Sequence, residues 1–233
     1  MPALDRSLIQ DLPLFAGLQP DDLDVILKTA RSARYPRETT IFEQEAEAHS
    51  FHLLLNGHVR VVRTTPGGDQ VITRYINDGE LFGIAPAIGR KSYPASAVAA
   101  VDCVVLTWPT HLWADFAARF PAFADNASRT VGARLQETQA RVVEMATQQV
   151  EQRVAQALLR LTEQAGRPTE DGVEIDFPIT RQDIAEMTGT TLHTVSRLLS
   201  AWEETGFVKS GRQKVAIVDQ EGLRQIAENR RHK

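Results

Sequence analysis

The sequence predicts an α+β chain: a helical lead-in, a β jelly roll or small barrel, a long helix and a C-terminal winged helix-turn-helix. Three observations predict it. Short apolar runs between residues 36 and 108 are punctuated by Gly and Pro, as in a jelly roll or barrel. The stretch after Pro121 carries apolar-type positions at helical seam spacing. Residues 180–202 read as two short helices joined at a glycine, with a strand pair behind them.

Residues 1–35 read as helical, with Asp21 and Asp22 placed to suit the dipole of a helix that starts near Pro20. In the next segment, Phe51-His52-Leu53-Leu54-Leu55, Asn56-Gly57 and His58-Val59-Arg60-Val61-Val62 carry a hairpin signal. Asn-Gly favours the turn whose twist matches that of paired strands. Further strands are expected at 71–76 and 101–107. Residues 110–147 return to helix. There Val131, Leu135, Thr138, Val142 and Met145 are spaced 4, 3, 4, 3, an a/d seam of about two heptads. Such a seam can pack on its own domain or on a second copy. A parallel two-chain seam is preferred, because symmetric dimers read paired DNA half-sites. The expected boundaries are 1–120 for the barrel with its N-terminal helices, 121–147 for the long helix that would carry the dimer seam and 148–233 for the winged helix-turn-helix domain. Residues 165–172 read as a polar loop inside that last domain.

The C-terminal motif is the most specific signal. Counted from Arg181, Ala185, Gly189 and Val195 fall fifth, ninth and fifteenth. A small residue lets two helices approach, a glycine permits positive φ, and an apolar residue packs the second helix on the first. Thr180 and Thr191 are placed to cap the two helices, with Asp183 completing a capping box for the first. Val195, Leu198, Leu199 and Trp202 form an apolar stripe, and His193, Ser196, Arg197 and Ser200 lie opposite. That face is polar and carries no acid, as on a solvated surface or a recognition helix. The flanking pattern favours the recognition helix, with His193, Ser196 and Arg197 reading bases. Strand, turn and strand over 206–218 place Arg212 and Lys214 near the tip of a wing. Arg212 and Lys214, with Thr180, Arg181 and Thr191, are the candidate phosphate contacts.

Composition sets bounds. The 233 residues carry a net charge of −4, with 42% hydrophobic residues. Residues 147–233 hold 12 Lys and Arg against 13 Asp and Glu, so the DNA reader is not basic in bulk. Nucleic-acid binding must therefore rest on a local arrangement of cations. No apolar run approaches the ~20 residues needed to cross a bilayer. The N-terminus lacks a signal-peptide pattern, so no membrane partner and a cytoplasmic location are expected. Cys103, the one cysteine, sits in an apolar strand-like run and reads as a core residue. It cannot alone supply an iron–sulfur cluster.

His49, His52 and His58 raise a metal reading, since pairing across Asn56-Gly57 would bring His52 and His58 together. The alternative function is thus a metal-binding barrel enzyme of the cupin type. A third ligand is not evident, and no phosphate loop, nucleophile elbow or coherent pair of catalytic acids is present. A non-enzyme with no metal site is the preferred reading.

The order of segments resembles the CRP/FNR family of bacterial transcription regulators. Matching stretches are Leu14-Phe15-Ala16-Gly17-Leu18, Gly79-Glu80-Leu81-Phe82-Gly83, Ile179-Thr180-Arg181-Gln182-Asp183-Ile184-Ala185 and Thr194-Val195-Ser196-Arg197-Leu198-Leu199. The resemblance implies a cyclic-nucleotide-binding-like barrel with an effector site, a homodimer, double-stranded DNA as ligand and RNA polymerase as partner. Departures narrow it. Gln44-Glu45-Ala46 stands where the family has Gln-Gly-Glu, so a different turn is expected. Ile84 stands where cyclic-AMP-binding members place the acid for the ribose. Lys91-Ser92 replaces their Arg-Ser, so cyclic AMP is not the expected effector. His193 replaces the glutamate of FNR-like members, changing the hydrogen-bonding chemistry offered to a base. The stretch Thr188–Arg197 looks most like the NnrR-type subgroup. That implies activation of denitrification genes in response to nitric oxide, at inverted repeats with TTG-type half-sites. The effector itself is not assigned by sequence. Haem is an open alternative, for which His49, His52, His58 and His111 are candidate axial ligands.

Overall fold

Pro20 opens α1 (Pro20–Lys28) in the computed structural model, which describes residues 4–229. Proline suits the first turn of a helix because its missing N–H has no intrahelical partner there. The Asp22 carboxylate accepts from the Gln19 amide at 3.2 Å, and Asp21 and Asp22 face the positive end of the dipole. The helical segment ends sooner than the sequence indicates. Arg31–Tyr35 is a strand, β1, paired antiparallel along its length with residues 103–107.

The chain divides into two compact units: residues up to Thr64 with Arg74–Thr138, and Thr65–Thr73 with residues from Gln139 onward. The first unit contains most of a two-sheet barrel. After β1 come β2 (Thr40–Phe42), β3 (Ser50–Asn56), β4 (Val59–Thr64), β5 (Gln70–Ile76), β6 (Leu81–Phe82), β7 (Ser96–Ala99) and β8 (Cys103–Pro109). One sheet has the order β1-β8-β3-β6 and the other β2-β7-β4-β5. The Asn56-Gly57 turn therefore does not close a hairpin; it carries the chain from one sheet to the other. Gly57 takes φ +108°, and a Cβ there would lie 2.8 Å from both the Cys103 Sγ and the Asp102 carbonyl. Local turn chemistry marked the reversal, but the partner strand was decided by the sheets.

A second turn also differs from expectation. Glu45 adopts φ +63°, the left-handed conformation that a glycine would take there. Its amide donates to the Tyr93 carbonyl at 2.8 Å. The Gln44-Glu45-Ala46 turn thus keeps a glycine-like backbone with a non-glycine residue.

The apolar core of this unit joins α1, the β1-β8-β3-β6 sheet, α2 (Leu112–Arg119) and the start of α3 (Pro121–Thr147) through Phe15, Phe51, Trp108, Phe116 and Phe123. Trp108 is buried, and its indole N–H donates to the Ile26 carbonyl at 2.9 Å. Ile84 belongs to the same cluster. Along α3, Arg134 donates to the Leu81 carbonyl, and its ionisation is pulled down to about 10 by burial first and by the neighbouring Arg74 second. It stays charged at neutral pH. Glu80 balances it at 3.9 Å while also holding Arg74 at 2.7 Å.

His52 and His58 are not brought together. The His52 ring is buried between the hydroxyls of Ser50 and Thr107, at 3.2 and 3.0 Å, and stacks on Phe42 and Phe82. His58 instead faces the Asn77 side chain at 3.0 Å. Among the described residues, no group of three His, Cys, Asp or Glu could hold a metal ion. No described helix is long and apolar enough to cross a membrane.

The second unit contains α4 (Val150–Ala165), β9 (Gly166–Thr169), β10 (Gly172–Ile175), α5 (Arg181–Thr188), α6 (Leu192–Glu204), β11 (Val208–Gly211), β12 (Lys214–Ile217) and α7 (Gln220–Ala227). Its sheet runs β11-β12-β10-β9. The segment expected to be a polar loop, 165–172, holds the first strand and the turn of the β9–β10 hairpin. Its side chains are exposed, so no apolar alternation announces it.

Candidate nucleic-acid interface

Thr180 caps α5. Its Oγ1 accepts from the Asp183 amide at 3.0 Å, and the Asp183 carboxylate accepts from the Thr180 amide at 2.7 Å. Gly189 ends α5 at φ +61°, a conformation that costs an L side chain free energy. Thr191 then starts α6 by accepting from the Thr194 amide at 3.2 Å. Buried Ala185 and Val195 lie at the small and apolar positions read from the motif, and Leu199 and Trp202 are buried farther along α6. Leu198 is only half-buried, at the margin of that stripe.

The opposite face of α6 is open. His193 and Arg197 are exposed and Ser196 is half-exposed. Neither His193 nor Arg197 has a hydrogen bond or ion pair among the described residues. A recognition surface needs such groups, since a side chain already paired within the protein must lose that partner to meet a base.

The expected phosphate contacts differ in their freedom. Thr180 is committed to its capping box, and its hydroxyl also donates to Asp183 at 2.7 Å. Thr191 is exposed, and its hydroxyl pairs with that of Thr194 at 3.0 Å. Arg181 donates to the Ser210 hydroxyl at 3.2 Å, which ties the start of α5 to the wing. Ser210 is fixed in turn, its amide donating to Glu203 at 2.7 Å. Arg212 projects from the β11–β12 turn, exposed and unpaired among the described residues. Lys214 lies 3.6 Å from the Glu174 carboxylate. Glu174 is held below the ordinary carboxylate range first by its hydrogen bond from Arg167, with Lys214 adding attraction. Lys214 is therefore partly neutralised.

Arg181, Arg212 and Lys214 line a cleft of about 450 Å³ between the start of α5, α6 and the wing. Leu192, outside the positions expected from the sequence, lines it as well. The sign that could have found it is its place at the first position of the second helix, ahead of the buried stripe.

The five seam positions on α3 do not share one environment. Leu135, Val142 and Met145 are 58%, 64% and 41% exposed in the single chain, and Thr138 is exposed. Val131 instead packs against the core of the first unit. Val143 is 60% exposed beside Val142 and widens the apolar strip. Met145 also reaches the helix-turn-helix: its Sδ lies 3.6 Å from where a Cβ on Gly189 would stand.

Comparison with known proteins matches this arrangement at both ends. Residues 152–226 match the Crp-like helix-turn-helix domain and residues 32–120 the cyclic nucleotide-binding domain. The Cyclic AMP receptor protein of Thermus thermophilus is 32% identical, over 92% of this chain and 96% of its own. The Fumarate and nitrate reduction regulatory protein of Escherichia coli is 24% identical, over 91% and 84% respectively. Among solved structures, the Thermus thermophilus Catabolite Activator Protein is 31% identical with a TM-score of 0.52, covering 93% of this chain and 99% of that one. FixK2 from Bradyrhizobium japonicum, at 21% identity, shares the fold with a TM-score of 0.75 over 84% of this chain and 96% of its own. With barrel, reader and a full-length relative in agreement, this chain belongs to the CRP/FNR family of DNA-binding transcription regulators and is not an enzyme.

Proposed function

We propose that this regulator acts as an effector-gated homodimer that reads an inverted repeat with TTG-type half-sites and activates genes for nitrogen-oxide reduction in response to nitric oxide. The observation that carries the base-reading part is the pair of exposed, unpaired side chains His193 and Arg197 on the outer face of α6. Arg197 can fork onto guanine O6 and N7, and His193 offers a donor or acceptor to a neighbouring base. Ser196 completes the reading face. Arg181, Arg212, Lys214 and Thr191 hold phosphates, and the dipole at the start of α5, capped by Thr180, adds a weak anion attraction. The exposed Leu135, Thr138, Val142 and Met145 form the dimer seam with Val143, while Val131 anchors α3 to its own barrel. RNA polymerase is the partner on DNA.

For the effector, the residues around the barrel support a ligand other than cyclic AMP. Ile84 offers a ribose hydroxyl no acceptor and is buried in an apolar cluster. Lys91 is exposed, and the Ser92 hydroxyl donates to Glu45 at 3.4 Å. The opposing observation is the relative named Cyclic AMP receptor protein. As a haem ligand, His52 is the poorest of the four histidines, because both its ring nitrogens face hydroxyls. His49 is exposed and pairs only with exposed Glu47, at 3.6 Å.

The test is fluorescence anisotropy on an inverted TTG repeat and on a scrambled duplex of equal length, across a salt series. Equal affinity for both would overturn the base-reading assignment. Repeating the titration with cyclic AMP, and with haem and nitric oxide while recording absorption, separates the effector readings. Tighter binding with cyclic AMP and no response to nitric oxide would overturn the nitric-oxide role.

A further inference from the structure

We propose that Glu174 is a positioning residue for DNA binding: it holds Lys214 back from the phosphate backbone, and Arg167, competing for the same carboxylate, sets how firmly. The inference rests on the phosphate-contact role of Lys214 proposed above and adds the residues that govern it. The sheet brings the three side chains together. β10 lies between β9 and β12, with Glu174 directly opposite Arg167 on one side and Ala216 on the other. Lys214 stands two residues before Ala216 on β12, so it shares a face of the sheet with Glu174. Glu174 accepts from Arg167 at 2.6 Å and lies 3.6 Å from the Lys214 ammonium.

The Glu174 side chain is 17% exposed and that of Lys214 64%. The carboxylate is thus seated in the sheet, while the lysine head reaches solvent beyond it. A phosphate that takes Lys214 must displace Glu174, and a carboxylate left beside the lysine opposes the approach of another anion. Arg167 works in the opposite sense. Its shorter contact draws the shared carboxylate toward β9 and leaves Lys214 the longer, weaker one. Asp176 holds the Arg167 Nε at 3.2 Å and keeps the guanidinium on this row. The turn of the β9–β10 hairpin repeats the arrangement, with Asp171 holding Lys209 of β11 at 2.6 Å. Arg212 has no such partner among the described residues. The wing therefore carries one cation ready for phosphate and one whose availability the β9–β10 hairpin decides.

The experiment is a double-mutant cycle in the full chain, read as affinity and log–log salt slope by anisotropy. Both the inverted TTG repeat and its scrambled control are used, because phosphate contacts carry no base identity. Glu174→Gln keeps the shape and an acceptor for Arg167 while removing the charge. It is expected to tighten binding by roughly threefold to twentyfold across two protomers, the scale of exposed ion pairs. The salt slope should steepen by up to about 2 as Lys214 gains its phosphate. In a Lys214→Gln background the same substitution should change neither quantity. Arg167→Gln should weaken binding and flatten the slope, and should be silent once Glu174→Gln is present. A role confined to sheet stability would move the melting temperature and leave the salt slope alone.

An unchanged slope in Glu174→Gln, with Lys214→Gln still lowering the wild-type slope, overturns the proposal: Lys214 then meets phosphate regardless of Glu174. An equal gain with and without Lys214 overturns it as well and assigns the effect to net charge alone. If Arg167→Gln weakens binding equally with and without Glu174→Gln, Arg167 is itself a phosphate contact and its competing role is overturned. Failure of the underlying reading looks different, since Lys214→Gln then leaves the slope unchanged both alone and combined with Glu174→Gln.

Discussion

Arg141 donates from Nη2 to the Met187 carbonyl at 2.6 Å. Met187 lies in the last turn of α5, where carbonyls have no helical partner. Arg153 does the same for Thr188 at 3.0 Å. The first helix of the reader is thus held at its negative end by guanidiniums from α3 and α4, a favourable placement for cations. Arg141→Met keeps an apolar stem and removes the donors. It is expected to cost about 1.5–3 kcal/mol, the range for hydrogen bonds to charged groups. Urea unfolding of the full chain measures it, and an unchanged midpoint would mean that packing alone orients α5.

Arg197→Ala is expected to weaken binding by about 1–3 kcal/mol and to relax preference at one guanine per half-site. Anisotropy titrations against duplexes altered at each position show whether the loss is confined to that base. A uniform loss across all sequences would instead mark Arg197 as a phosphate contact.

The wing cations should be unequal. Arg212 is unpaired among the described residues, while Lys214 shares Glu174 with Arg167. Neutralising one phosphate contact per protomer lowers the log–log salt slope by about 2 in a dimer. Arg212→Gln is expected to show that full reduction and Lys214→Gln a smaller one. Equal slopes for the two variants would show that Glu174 releases Lys214 on DNA.

The reader was legible in the sequence because its signals are local. A capping threonine, a turn glycine and a helical apolar period each act within a few residues, and Thr180, Gly189 and Val195 show those features in the structure. The barrel was legible as strands but not as pairings. Arg31–Tyr35 carries no alternating pattern and is a strand because β8 lies beside it. Asn56-Gly57 announced a reversal but not which sheet the next strand would join. Glu45 broke a glycine rule that the surrounding hydrogen bonds enforce on it. Leu192 is the equivalent case at the start of α6: its type suggests core, and only the placement of the helix shows it to be open.

His52 should make stability depend on pH. Burial lowers its pKa to about 4, against 6.5 for the free side chain. The unfolded chain therefore binds a proton between those values that the folded barrel refuses, and stability falls as pH falls through that window. This stabilisation is complete above pH 6.5 and is lost progressively toward pH 4. From pH 7.5 to 5 the loss should be about 2 kcal/mol. His52→Phe removes the titration, so its unfolding midpoint should change less over the same interval. An equal slope in both proteins would place the acid sensitivity elsewhere.

Val142 is 64% exposed near the C-terminal end of α3. In a parallel seam, Val142→Glu sets two carboxylates against each other in an apolar strip, and burying a charge without a partner is costly. The expected outcome is a shift from dimer to monomer in sedimentation velocity, with loss of binding to the inverted repeat and an unchanged melting profile at low concentration. An unchanged dimer would place the interface on another face.

Glu45 holds φ +63° with only weak side-chain compensation. Its carboxylate is 63% exposed, 3.9 Å from Arg90 and 3.4 Å from the Ser92 hydroxyl. Exposed pairs of this kind contribute little. An L residue in the left-handed region costs roughly 1–2 kcal/mol. Glycine relieves that strain but gives back about 0.4–1 kcal/mol through a more flexible unfolded chain. Glu45→Gly is thus expected to be neutral or to stabilise by up to about 1.6 kcal/mol. Glu45→Ala keeps the Cβ, and with it the strain, while losing the side-chain contacts. The ordering glycine above alanine in thermal unfolding is therefore the decisive result. Alanine equal to or above glycine would show that the amide bond to Tyr93, rather than backbone conformation, governs this turn.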